Sequence, residues 1–305
     1  MLRFIIFRLL YVVVVLLAIS VFIFGLSRLQ GDPRNLFLDA YATPEQYAAW
    51  GRDMGLDKPL VVQYWAWLSG AVRGDFGRSL FHKTDALGVV VQRIPATLQL
   101  SAAAFIVMIL MSVPLGVLSA VKRGSPFDYI GRTVAAFGQA LPGFWIGLML
   151  ILIFAVQLGW LPTGRRGGLD HYILPALSLG TTPAAGLLRL VRSAMLETLG
   201  SEYIKLARAK GVSNNRIIWK HALRNATIPP LTFGSLILAG FMTGAVVNET
   251  VFAWPGLGRL AVLAINTNDF PVLIPLVLLA GALYLFINLI VDIAYTLVDP
   301  RIRLK

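Results

Sequence analysis

Six long runs of apolar residues divide the chain into segments that are long enough to cross a membrane. A transmembrane helix needs about 20 predominantly apolar residues to span ~30 Å of hydrocarbon. The runs are Leu9–Leu26, extending back to Phe4 if Arg8 snorkels, and then Leu98–Val121, Thr133–Gly159, Tyr172–Val191, Ile228–Ala253 and Pro271–Val298. The pattern therefore predicts an all-α polytopic membrane protein with six transmembrane helices.

The polar intervals divide the chain into three parts. We expect residues 1–29 to be an N-terminal transmembrane helix, residues 30–95 a small helical cap, and residues 96–305 a five-helix core. The core contains a second polar interval, residues 201–227, after its third apolar run. Because spans alternate in direction, the cap and this loop lie on opposite sides of the membrane.

Two short helices are predicted in the cap. Thr43 and Gln46 have capping-box spacing, Pro44 occupies the first helical position, and Gly55 can close the helix. A second helix is expected from Pro59 to just before Gly74, with one apolar face. Either this cap packs on the outer helix ends or it contacts a substrate-delivering protein, and the pattern leaves both possibilities open.

The loop at 201–227 begins with a short amphipathic helix. Ser201 can cap it, Glu202 lies in its first turn, Arg208 and Lys210 lie in its last turn, and Gly211 suits a left-handed end. A helix of about nine residues is marginal alone, so it needs a surface on which to dock.

One side of this short helix is apolar. Tyr203 and Ala207 are spaced i,i+4 and form a ridge flanked by Ile204 and Leu206, while Lys205 points elsewhere. We expect a partner surface to bury the ridge.

Composition supports a membrane protein. With 57% hydrophobic and 14% charged residues and a mean hydropathy of +0.73, the chain is too apolar for a soluble domain of 305 residues. The net charge of +12 does not indicate nucleic-acid binding, because the basic residues are scattered over short loops. Orientation explains them better, since Lys and Arg accumulate in cytoplasmic loops.

Counting basic residues decides the sidedness. With a cytoplasmic N-terminus, sixteen of the 27 lie on the cytoplasmic side, namely Arg3, Arg8, Lys122, Arg123, Arg132, Arg189, Arg192, Lys205, Arg208, Lys210, Arg216, Lys220, Arg224, Arg301, Arg303 and Lys305. Eight others lie in the long interval 28–93, near the length at which the rule ceases to apply, which leaves only three outside. Both termini and the loop 201–227 are therefore predicted to be cytoplasmic, and the cap extracytoplasmic.

Catalytic chemistry is not predicted for this chain. It contains no cysteine, and His82, His171 and His221 are far apart in sequence, so no metal site or nucleophile–base pair is readable. Lys83 is followed by Thr84 but preceded by His82, where a phosphate-binding loop needs Gly. We expect no catalytic residue, metal or cofactor here, and energy from another subunit.

The stretch Tyr203–Pro230, YIKLARAKGVSNNRIIWKHALRNATIPP, resembles the cytoplasmic EAA loop of ABC-importer permeases of the dipeptide/oligopeptide/nickel subfamily. Only Ala207, Gly211 and Leu223 keep the broad family pattern, and Lys205 stands in place of its Glu. Further stretches resemble this subfamily, so the resemblance covers essentially the whole chain: Gly31-Asp32-Pro33, GLDKPL from Gly55, ETVFAWPGLGR from Glu249 and DPRIR from Asp299.

The resemblance implies a type I ABC-importer permease fold and a function. It implies an inner-membrane subunit that forms half of a path for dipeptides, oligopeptides or glutathione by alternating access. Its implied partners are a second related permease as a heterodimer, two ABC subunits that bind ATP and Mg, an extracytoplasmic substrate-binding protein and membrane lipid. Nickel chelates are an alternative cargo, and a stand-alone secondary transporter is the alternative class.

Two sets of site residues follow. The ATPase-coupling helix implied by the resemblance comprises Glu202, Tyr203, Lys205, Leu206, Ala207, Arg208, Lys210 and Gly211. Polar groups within apolar runs are functional candidates by default, and Gln139, Asn248, Glu249 and Asn288 are predicted for the path or its gating. Glu249 and Asp292 are also near enough to span ends to be interfacial anchors. Gly143–Gly147 and Gly240–Gly244 have the GxxxG spacing that allows close helix packing.

Overall fold

The computed structural model describes residues 2–29, 34, 42–53 and 55–298, with side chains described between residues 6 and 291 of those ranges. The regular secondary structure of this part of the chain is helical, apart from an isolated bridge between Arg78 and Asp85, so the predicted all-α class is confirmed. The helices are α1 (Leu2–Leu29), α2 (Pro44–Asp53), α3 (Leu60–Val72), α4 (Ala86–Val91), α5 (Ile94–Val121), α6 (Pro126–Ala140), α7 (Gly143–Gln157), α8 (Asp170–Leu199), α9 (Glu202–Ala209), α10 (Asn214–Ala226), α11 (Ile228–Met242), α12 (Val246–Val251), α13 (Leu257–Asn266) and α14 (Phe270–Val298).

Four segments are long and apolar enough to cross a membrane as they stand: α1, α4 continued into α5, α8 and α14. Two bent pairs, α6 with α7 and α10 with α11, also qualify if each pair counts as one span. The described residues therefore hold up to six spans, as predicted, but two of the predicted runs are not continuous helices.

The run Thr133–Gly159 is broken between α6 and α7, where the chain bends by 101°. The run therefore forms two helices, α6 and α7, instead of one. Leu141 has an extended backbone, with φ −93° and ψ 132°, and Pro142 follows it. Proline disfavours a helical conformation in the residue before it and has no N–H to donate, so α6 ends and α7 begins in a new direction.

The run Ile228–Ala253 is broken between α11 and α12. Gly244 has φ +113°, a conformation that residues with a side chain rarely adopt, and a Cβ there would lie 3.0 Å from the backbone nitrogen of Gly258. A Cβ on Gly240 would meet no atom within 4 Å. Gly244 therefore allows a turn and a close approach to Gly258, whereas Gly240 has no close neighbour among the described residues, and its packing against another subunit stays a prediction.

Packing of α5 against α8 forms the centre of the core. A Cβ on Gly116 would lie 2.8 Å from the side chain of Val191, and one on Gly180 would lie 2.7 Å from a carbonyl oxygen of α5. Gly147 brings α7 equally close to α8, since a Cβ there would lie 2.8 Å from Ser178 Oγ. Small residues thus let the backbones approach within this one chain.

The predicted cap helices are present as α2 and α3. Thr43 N donates to Gln46 Oε1 at 2.9 Å and Gln46 N to Thr43 Oγ1 at 3.3 Å, which confirms the capping box. The following loop is attached to the start of α14, because Asp269 accepts from Ser79 Oγ at 2.5 Å and from Leu80 N at 3.1 Å. The cap is therefore tied to the membrane core by buried polar contacts.

Helix α3 docks on the C-terminal half of α1. Tyr64 Oη and Ser20 Oγ are 2.8 Å apart, and the rings of Tyr64 and Trp67 both pack near Phe24. Trp65 points away and is 62% exposed. By contrast, α4 is buried against α13 and α14, so the last helix of the predicted cap packs with the core.

A buried ion pair fixes the start of α6 against α8. Asp128 accepts hydrogen bonds from Arg192 Nε at 2.7 Å and Nη2 at 3.0 Å. It also accepts from Ser119 Oγ at 2.7 Å and from Gly124 N at 3.0 Å. The carboxylate is thus fully hydrogen-bonded and joins the adjacent ends of α5, α6 and α8.

We expect Arg192→Ala to lower the free energy of unfolding by about 3 kcal/mol, because it leaves Asp128 buried without its cation. The double variant Asp128→Ala/Arg192→Ala removes both charges and should recover part of this loss. Thermal unfolding of the purified protein is the measurement, and Arg123→Ala, at an exposed loop residue, is the control. If the loss of stability in the double variant equals the sum of the losses in Arg192→Ala and in Asp128→Ala, the ion pair is not the source of stability.

Candidate functional site

A groove of about 950 Å³ lies where the two helix breaks face α8. We call it the central groove, and its lining comprises Gln139, Gly143, Phe144, Ser178, Leu179, Thr182, Pro183, Gly186, Phe233, Leu236, Ile237, Gly240, Phe241, Gly244, Ala245, Val246, Val247 and Asn248. Phe144, Leu236 and Val247 are exposed, so the described residues leave the groove uncovered on this side.

Asn248 provides the buried amide of the central groove. Its Nδ2 donates to the carbonyl of Pro175 at 3.2 Å, and its Oδ1 accepts from Ser178 Oγ at 2.9 Å. One turn further along α8, the buried Oγ1 of Thr182 has no hydrogen-bond partner among the described residues. Sequence analysis missed Ser178 and Thr182, although their spacing of four places them on one helix face.

Gln139 lies at the other end of the groove, in the last turn of α6. Its Oε1 accepts a hydrogen bond from Arg189 Nη2 on α8. Arg189 entered the sequence analysis only as one of the basic residues, because nothing in the linear pattern brings it to Gln139.

Glu249 does not line the central groove. Its Oε1 accepts from Thr97 Oγ1 at 2.8 Å and its Oε2 from Arg259 N at 3.0 Å, while Thr97 Oγ1 accepts from Leu257 N at 2.8 Å. Glu249 and Thr97 together therefore cap the first turn of α13. A Cβ on Gly256 would lie 2.3 Å from Glu249 Oε1, which explains the glycine at that position. These contacts give Glu249 a structural role and no visible place on a path.

Asn288 lies in a separate cavity of about 340 Å³ between α1, α11 and α14, together with Arg8, Tyr11, Val12, Thr232, Leu236, Tyr284, Leu285, Leu289 and Val291. Of the four predicted path residues, the structure thus brings together only Gln139 and Asn248. The side chain of Asp292 lies outside the described ones, as do the stretches 31–33 and 299–303.

The short helix of the 201–227 loop is present as α9 and ends as predicted. Gly211 has φ +77°, and Val212 N donates back to the carbonyl of Ala207 at 3.2 Å, a Schellman-type end. Ser201 begins the helix, but its hydroxyl donates to the carbonyl of Thr198 at 2.6 Å instead of capping α9.

The two faces of α9 have different surroundings. Ile204 is fully buried in a cluster formed with α5, α8 and α10, and Ala207 packs against that cluster. Ala207 is partly buried against the chain's own core, and burial of its remaining surface by a partner stays a prediction. The exposed residues of this segment that were predicted for coupling are Glu202, Tyr203, Lys205, Leu206, Arg208, Lys210 and Gly211.

Bent apolar spans, an uncovered groove and a short charged helix held outside the spans together define an integral membrane translocation subunit. Residues 112–304 match the family described as binding-protein-dependent transport system inner membrane component, and residues 1–101 match its N-terminal counterpart. The chain belongs to this family and is a permease subunit of a binding-protein-dependent ABC importer, a translocation component that works with an ATPase and a substrate-binding protein.

Full-length relatives carry more specific names. The chain is 41% identical to oligopeptide transport system permease protein AppB of Bacillus subtilis (strain 168), over 99% of this chain and 100% of that protein. It is 38% identical to glutathione transport system permease protein GsiC of Escherichia coli (strain K12), over 100% of both.

A solved structure shares the fold. The chain resembles the inward-facing MetNI methionine ABC transporter in its native crystal form with a TM-score of 0.56 and 20% identity, over 70% of this chain and 97% of that one. This likeness confirms the predicted ABC-permease fold.

We expect Glu249→Ala to destabilise the protein, because it leaves buried donors at the start of α13 without an acceptor, at about 1–3 kcal/mol for each group. Gln139→Ala, at an exposed groove position, is the control and should leave thermal stability unchanged. Both variants are compared by thermal unfolding and by transport. Wild-type stability with reduced transport in Glu249→Ala would instead place this carboxylate on the path.

Proposed function

We propose that this chain forms one half of the translocation path for peptides in an ATP-driven importer that works by alternating access. The central groove is the observation that supports this most directly. Its volume of about 950 Å³ is at the upper end of the range for small-molecule sites. Apolar walls are combined with the amide of Asn248 and the hydroxyls of Ser178 and Thr182, which suit a peptide backbone. The oligopeptide and glutathione names of the relatives agree with this substrate class.

A second, related permease completes the path in this proposal. Phe144, Leu236 and Val247 line the central groove yet remain exposed. The polar side chains of Asn248 and Thr182 in the same groove favour a protein cover over lipid. A heterodimer of two such subunits would enclose a peptide between two grooves. ATP and Mg are bound by the two partner ATPase subunits and not by this chain.

Both termini are proposed to be cytoplasmic, on the basis of sixteen basic residues inside against three in the short outer loops. This orientation places α9 in the cytoplasm and the α2–α3 cap on the outer surface, towards the substrate-binding protein. Trp65 is exposed and available for such a contact, whereas Trp67 packs on α1.

The exposed face of α9 is the proposed ATPase contact. Tyr203 and Leu206 provide its apolar part, and Lys205 forms an exposed ion pair with Glu202 at 2.7 Å. Arg208 and Lys210 extend the charged surface, while Ala207 anchors the helix to the core and Gly211 sets where it ends.

Reconstitution of the complete transporter with its binding protein tests the function. We expect ATP-dependent uptake of labelled dipeptides, oligopeptides or glutathione into vesicles, and no uptake by this chain alone. Uptake of a nickel chelate without any peptide uptake would establish the alternative cargo. ATP-independent uptake by the isolated chain would establish a secondary transporter instead.

For coupling, we expect Leu206→Glu to reduce co-purification of the ATPase and transport together, because an unpaired carboxylate in a buried contact costs several kcal/mol. Lys205→Ala should reduce co-purification and transport less, since an exposed ion pair contributes roughly 0–1 kcal/mol. Leu206 is preferred to Ala207 because a charge at Ala207 would disturb the permease core itself. Wild-type ATPase retention and uptake with Leu206→Glu would show that this face is not the contact.

A further inference from the structure

A second pocket, of about 490 Å³, lies between α6 and α8. We call it the arginine pocket, because Arg132, Arg189 and Arg192 line it together with Tyr129 and Thr133. Arg192 is paired with Asp128, but Arg132 and Arg189 have no ion-pair partner among the described residues. No Asp or Glu is among the residues that line this pocket or the central groove. The pocket therefore carries positive charge that this part of the chain does not neutralise.

The arginine pocket continues the central groove. Arg189 lines the pocket and donates a hydrogen bond to Gln139, which lines the groove. Ser178, Thr182, Gly186 and Arg189 follow one another at spacings of four, four and three along α8, which places them on one helix face. A substrate moving along this face passes from the neutral amide and hydroxyl groups to the guanidinium groups.

An anionic ligand is the natural counterpart of these arginines. Arg132 and Arg189 are both exposed, so their guanidinium groups are open to a ligand where the pocket meets the groove. Arginine binds a carboxylate through two parallel N–H···O bonds, and a peptide with a free C-terminus always presents one.

We propose that Arg189 and Arg132 bind the C-terminal carboxylate of a peptide as it leaves the central groove. Gln139 holds Arg189 at the junction until the carboxylate takes its place. This inference rests on the proposed function and narrows the substrate class to peptides with a free carboxylate. Selection at this site is additional to any selection by the binding protein.

The test uses the complete transporter in vesicles with two labelled peptides of one sequence, one with a free C-terminal carboxylate and one with a C-terminal amide. Saturating, preloaded binding protein removes its own preference from the measured maximal rates. Wild type should transport the carboxylate form faster. Arg189→Gln should slow that form by about tenfold, as expected for losing a hydrogen bond to a charged group, and leave the amide form nearly unchanged.

Two further variants sharpen the comparison. Arg189→Lys keeps the positive charge but loses the planar guanidinium. Its transport rate for the carboxylate peptide should therefore lie between those of wild type and Arg189→Gln. Arg123→Gln removes one positive charge from an exposed loop outside the pocket and should keep the wild-type rate ratio.

The outcomes separate this inference from the proposed function. Equal rates for both peptides in wild type, or an unchanged ratio in Arg189→Gln, would overturn the inference while peptide transport stands. An unchanged ratio accompanied by altered dependence on anionic lipid in the vesicles would assign the arginines to a lipid headgroup and also overturn it. Absence of any peptide uptake by wild type would overturn the proposed function and the inference together.

Discussion

Buried backbone N–H and C=O groups must find hydrogen bonds within the protein, and the breaks in this fold depend on how that requirement is met. Where α12 ends and α13 begins, the Glu249 carboxylate and the Thr97 hydroxyl accept the first N–H groups of α13. The indole of Trp254 completes the junction by donating to the carbonyl of Ala96 at 2.8 Å. A glycine at 256 leaves room for the carboxylate. These contacts bind α5, α12 and α13 into one unit and allow the chain to turn where a continuous helix would otherwise run.

The same junction positions the groove. Asn248 and Glu249 are neighbours in sequence, but their side chains make contacts on different sides of α12. Glu249 caps α13 in the interior, while Asn248 reaches Ser178 on α8 and lines the central groove. Straight helices through Thr133–Gly159 and Ile228–Ala253 would not create this arrangement, because the groove lies where both runs turn aside. The geometry of the central groove therefore follows from local backbone rules at a proline and a glycine.

Hydrophobic runs were sufficient to predict the continuous spans and the helical class, and local capping rules predicted the start of α2 and the C-terminal end of α9. They did not predict the bend at Leu141 or the turn at Gly244, because average hydropathy is the same for a straight and a bent apolar segment. Glu249 shows a second limit of the sequence analysis. A polar residue within an apolar run gives the same sequence pattern whether its side chain caps a helix or lines a path. Ala207 shows a third, since a short amphipathic helix does not reveal whether its apolar side meets its own chain or a partner.

The position of Ala207 matters for how movement at α9 reaches the groove. Ile204 belongs to a single buried cluster with residues of α5, α8 and α10, and Phe233 and Ile237 of α11 pack against that cluster and also line the central groove. Close-packed interiors have little free volume, so a displacement of α9 cannot be absorbed locally and must carry the cluster with it. The ion pair between Asp128 and Arg192 fixes α6 to α8 beside this cluster. It thereby holds Gln139 of α6 at a fixed position relative to the α8 wall of the groove. The packing therefore joins α9 to the helices that line the central groove as one contiguous body.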